Sequence, residues 1–119
     1  MVKVFKSSDI VRFCVVNNQY TEEGLSLGGI TKEPHEIGIY EKIDLESFPS
    51  SNDFKGEKTI IRHGEWCIVL KKIGRPHRVN QESIFWSKYD VYEILLSSTK
   101  ICQVFSGLLE HVEWNHLSN

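Results

Sequence analysis

The sequence predicts a mainly β fold held in one domain. Three observations carry that reading. Short apolar segments rich in β-branched and aromatic residues recur along the chain, turn-forming clusters separate them, and no stretch spaces its apolar residues at the three-and-four interval of an amphipathic helix.

In chain order, the first segment is DIVRFCVV (9–16), stopped by Asn17-Asn18. The next is IGIYEKI (37–43), which follows Gly28-Gly29 and ends before the turn-rich PSSND (49–53). EWCIVLKKI (65–73) runs from Gly64 to Gly74, and YDVYEILL (89–96) and ICQVF (101–105) flank the polar link SST (97–99), as in a hairpin. After Ser106-Gly107, the segment SGLLEH (106–111) is short enough for one 3₁₀ turn, which would deliver HVEW (111–114) as a last strand. Gly and Asn at these joints supply the positive φ angles of tight turns. NQESIFWSKY (80–89) is the best helix candidate, since Asn80 can cap, but Ile84, Phe85 and Trp86 are contiguous. It reads as one helical turn or as a loop carrying a hydrophobic plug.

Trp66, Ile68 and Leu70 alternate with Cys67 and Val69, so this strand is expected to be buried on one face by the core and covered on the other. Trp66, Ile68, Val69, Val91, Ile94, Val104 and Val112 are the expected members of a single β core.

The chain has 119 residues, 40% hydrophobic and 25% charged, the composition of an ordinary globular domain spanning 1–119. Its three cysteines (Cys14, Cys67 and Cys102) are far apart and odd in number, which argues for reduced thiols rather than a disulfide framework. Charges at Lys3, Lys6, Asp9 and Arg12 break up the first residues, so no secretory signal peptide and no membrane span are expected. Net charge is −2, too near neutral for a general nucleic-acid binder. Between 20 and 57, however, nine acids face three lysines, and between 58 and 78 six bases face Glu65 alone. Residues 20–57 are therefore expected to form an acidic insertion or assembly arm beside a barrel core at 59–114.

Catalytic and metal patterns do not emerge. His35, His63, His77, His111 and His116 are scattered, and His63 and Cys67 would lie roughly 13 Å apart on an extended strand. There is no nucleophile elbow, no phosphate-binding glycine loop and no dinucleotide fingerprint. No catalytic residue, metal ligand or cofactor is expected, and the chain reads as a non-enzymatic protein.

The order HGEWCIVLKKI, YDVYEILLSSTKICQVF, SGLLEHVEW resembles an SH3-like small β-barrel: a strand opened by a glycine turn, a hairpin, then a 3₁₀ turn before the final strand. Across Gly64–Leu70, Tyr89–Leu96 and Leu108–Val112, about half the chain, it is also similar to small barrel proteins of tailed bacteriophages. That resemblance implies an SH3-like barrel with long loops or an inserted arm and at most one or two helical turns. It implies a structural or assembly protein of a phage particle, found in the virion or the host cytoplasm and docking on protein subunits, further copies of itself included. Independently of the resemblance, Lys71, Lys72, Arg75 and Arg78 surround the turn formers Gly74 and Pro76 and should project from an exposed loop, so these cations, with the neighbouring aromatics Trp86 and Tyr89, are the expected partner-binding residues. The alternative is a small-barrel regulatory adaptor that binds RNA or DNA through the same loop, with the aromatics as a stacking platform.

Overall fold

The computed structural model describes residues 4–15, 36–46, 53–76 and 89–112. Apart from Tyr89, the expected helical turn at 80–89 lies outside them, as do Arg78 and Trp86. The strands are β1 (Ile10–Phe13), β2 (Glu36–Ile43), β3 (Phe54–Arg62), β4 (Trp66–Gly74), β5 (Val91–Leu96), β6 (Ile101–Phe105) and β7 (Leu109–His111). A 3₁₀ turn, Ser106–Leu108, joins β6 to β7, where the sequence places one. Every pairing is antiparallel, and the order β3-β2-β6-β5-β4-β1-β7 curls into a half-barrel.

Over much of the sheet, strand period two decides which side chains enter the core, while at Val91 and Tyr92 and at Val104 and Phe105 both phases are buried. Val11 and Phe13, Ile37 and Ile39, Cys67 and Val69, Ile94 and Leu96, and Cys102 and Val104 are all buried on the concave face. Buried apolar residues therefore also come from 11–15 and 36–45, outside the 59–114 stretch expected to hold the core. Within 20–57, β2 pairs with β3 along its length and meets β6 at Tyr40↔Gln103.

One tight turn carries the chain from the edge of the sheet back into its interior. Arg62 to Glu65 form a tight turn in which the Glu65 N–H donates to the Arg62 carbonyl (3.1 Å) and Gly64 takes φ +87°. This turn joins β3 at one edge of the sheet to β4 in its interior. It is held against the end of β1: the Gly64 N–H donates to the Phe13 carbonyl (2.8 Å), the Phe13 N–H to the Glu65 carbonyl (2.9 Å), and the Val15 N–H to His63 Nδ1 (3.1 Å). At the other end of β1, Ser8 donates to the Val69 carbonyl (2.8 Å) and Val69 to the Asp9 carbonyl (2.9 Å), extending the β1–β4 ladder. The Phe5 N–H then donates to the buried Tyr92 hydroxyl (3.1 Å), and the two rings meet edge to face at 5.3 Å.

Some expectations need correction. Trp66 and Ile68 are not core residues: they are 44% and 40% exposed, because Cys67 and Val69 hold the inward positions of β4 and alternation sends their neighbours outward. Val112 is half-buried and follows β7, which begins at Leu109 because the Phe13↔Leu109 pairing buries that side chain. The sequence does not mark β3 as a strand. Lys55, Glu57 and Lys58 mask it, as charges do on an edge strand that must resist further pairing. Its register with β2 also shifts between Tyr40 and Lys42, where Gly56 adopts φ +88° and a Cβ would overlap the Glu41 side chain.

Candidate functional site: the outer face of β1, β4, β5 and β6

Register aligns the outward apolar residues into one row. Ile10 pairs with Ile68, Ile68 with Leu95, and Leu95 with Ile101, so the row crosses four strands. Ile10 is 42% and Ile101 49% exposed, and Leu95 is half-buried. Beside the row, Trp66 forms one wall of an open cleft of about 260 Å³ lined by Ile10, Trp66, Cys67, Ile68, Leu95, Leu96 and Ser97. Single exposed apolar residues are ordinary, but a contiguous row with an aromatic wall is the kind of patch that marks an interaction site.

Charged groups frame it. On one flank Arg12 of β1 forms an ion pair with Glu110 of β7. On the other, Lys71 and Glu93 are cross-strand partners pointing to the same face, and Gln103 donates from Nε2 to Glu93 (3.4 Å). Lys71 is exposed and makes no ion pair among the described residues.

The expected basic site is divided by the structure. Arg75 Nε donates to Oδ1 of Asp90 at 2.8 Å and Lys72 Nζ stands 3.8 Å from Oδ2, while the Asp90 side chain is 3% exposed. These two cations neutralise an internal carboxylate. Tyr89 is half-buried and packs against the core, whereas Lys71 lies at the rim of the apolar row. Arg78 and Trp86 fall outside the described residues.

Two of the three thiols, Cys67 and Cys102, are buried and held in their protonated form. Burial, reinforced by the nearby Glu65 carboxylate, pushes Cys67 up to about 12, and burial likewise raises Cys102. Among the described residues no group of three His, Cys, Asp or Glu is placed to hold a metal ion, and no helix is long and apolar enough to cross a membrane.

The row is not visible in the sequence alone. Its members were visible as apolar residues, but only the cross-strand register shows that they line up on one face. The discriminating signal was in β4, where apolar residues occupy both alternation phases and only one phase can point inward.

No protein-family model matches the sequence, and comparison with curated proteins and with solved structures returned no match.

Proposed function

We propose that this chain is a non-enzymatic docking protein, an SH3-like small barrel that attaches to other protein subunits of an assembly through the outer face of β1, β4, β5 and β6. The exposed row Ile10–Ile68–Leu95–Ile101 with Trp66 carries this reading, because leaving such a surface in water forgoes roughly 25 cal/mol for each Å² that a partner could bury. The SH3-like assignment is supported by the partial order β7-β1-β4-β5-β6: a three-strand meander, a 3₁₀ turn, and a last strand that returns beside the first. The phage-particle setting rests on the sequence resemblance alone. A protein partner is favoured over nucleic acid because Lys72 and Arg75 are engaged by Asp90, which reduces the positive charge the loop can offer to phosphates.

A photo-cross-linking residue at position 101, introduced in the producing cell, tests this. The expected product is a covalent adduct with a protein, absent when the same group stands at Lys58 on β3. An adduct with nucleic acid, or equal labelling at both positions, would refute the docking reading.

A further inference from the structure

The row is nearly palindromic. Reading from β1 to β6 it runs Ile, Ile, Leu, Ile, with its midpoint between β4 and β5. An axis parallel to the strands at that midpoint, turning one sheet over onto another, would bring Ile68 of one copy onto Leu95 of the other and Ile10 onto Ile101. The same operation acts on the charged rim. Lys71 on β4 and Glu93 on β5 share a register position, so each lysine would face the other copy's glutamate, twice over. On the opposite flank, one step beyond Cys67↔Leu96, Trp66 would meet Ser97, the small residue that lines the cleft.

We propose that this face pairs with the same face of a second copy about that two-fold axis. The inference rests on the docking reading and names its partner. Self-complementarity of this kind is what an isologous interface requires: each residue must suit the residue that the axis brings to it. Apolar residues meet apolar ones along the row, opposite charges meet at one rim, and the bulky indole meets a serine at the other. Lys71 has no ion pair within its own copy among the described residues, so the cross-copy contact uses a charge the fold leaves available. Exposed apolar patches on single chains usually run to a few hundred Å², below the roughly 800 Å² per partner of a standard stable interface. Pairing is therefore weak and reversible, with a dissociation constant of roughly tens of micromolar or above.

Sedimentation velocity of the full chain, from micromolar to near-millimolar concentration, tests the proposal. The unaltered chain should pass from monomer to dimer. Ile68→Lys should stay monomeric throughout, and Trp66→Ser gives an independent check should the lysine disturb folding. Lys71→Glu sets two carboxylates against each other across the axis and should weaken dimerisation roughly tenfold, whereas Lys71→Glu combined with Glu93→Lys should restore it. A monomer at every concentration overturns the inference, as does a dimer insensitive to both apolar substitutions or a charge exchange weaker than Lys71→Glu alone. A monomer whose position 101 still cross-links to a different protein removes the second copy and leaves the docking reading standing. A monomer with no protein adduct removes both.

Discussion

Removing Arg75 should destabilise the fold although the arginine itself is half exposed. Its partner decides the matter: the Asp90 side chain is 3% exposed, accepts from Arg75 Nε at 2.8 Å, and has Lys72 Nζ as a more distant second cation at 3.8 Å. Breaking a fully buried pair by deleting one member costs about 3–5 kcal/mol, because the remaining charge is left without compensation. Two features lower that figure here. Water can enter where the guanidinium stood, and Lys72 remains. A hydrogen bond to a charged group is worth about 1.5–3 kcal/mol, and that is the expected cost of Arg75→Ala. For a domain of this size the melting temperature should fall by roughly 5–12 °C. Arg75→Glu should cost more, since it brings a second carboxylate to Asp90. Asp90→Asn in the Arg75→Ala background should recover part of the loss, because the amide needs no counter-charge. Thermal denaturation followed by circular dichroism reads all four chains. Melting temperatures of Arg75→Ala and Arg75→Glu within about 1 °C of the unaltered protein would refute the argument, since a shift that small corresponds to a few tenths of a kcal/mol.

Further expectations follow from individual contacts. Tyr92→Phe removes the acceptor for the Phe5 N–H and should cost about 1–2 kcal/mol while speeding amide exchange at Phe5; unchanged exchange there would mean the hydroxyl does not hold the amino-terminal segment. Cys67 ionises near 9 in an unfolded chain, and burial in the folded one pushes it up to about 12, so its stabilising contribution is complete below pH 9 and is lost as pH rises towards 12. The slope should approach about 1.4 kcal/mol per pH unit, and Cys67→Ala should flatten the alkaline limb of a stability–pH curve; an identical limb in the variant would contradict the burial argument. Gly56→Ala meets both a positive φ and the Glu41 side chain, and should lower stability by about 1–2 kcal/mol in urea titration; an unaltered midpoint would show that the bulge tolerates a Cβ.

How far the sequence disclosed the fold depended on the kind of signal each element carried. β6 lies where its apolar run and flanking turn residues place it, and β2, β4 and β5 differ only at their ends, because buried interior strands write their pattern in β-branched residues. β3 was hidden because an edge strand is selected for charge along its free side, and Lys55, Glu57 and Lys58 resemble a loop when read one residue at a time. The site failed for a different reason. Lys72 and Arg75 look like free cations until Asp90, fifteen residues beyond Arg75, is found buried between them. Trp66 and Ile68 look like core until Cys67 and Val69 are seen to fill it. Pairing between strands remote in sequence settles both, and neither composition nor periodicity encodes it directly.

Hydroxyl-radical footprinting of Trp66 and Ile101, in the dilute isolated chain and again in its assembled state, tests the central claim most directly. Both side chains should be oxidised readily in the dilute protein, at rates comparable to exposed reference residues, and both should be protected on assembly while Val4, which is 65% exposed and lies off the row, stays reactive. Equal protection of Trp66 and Ile101 in both states would mean the chain covers this face itself. Equal oxidation in both states would mean that no partner docks there.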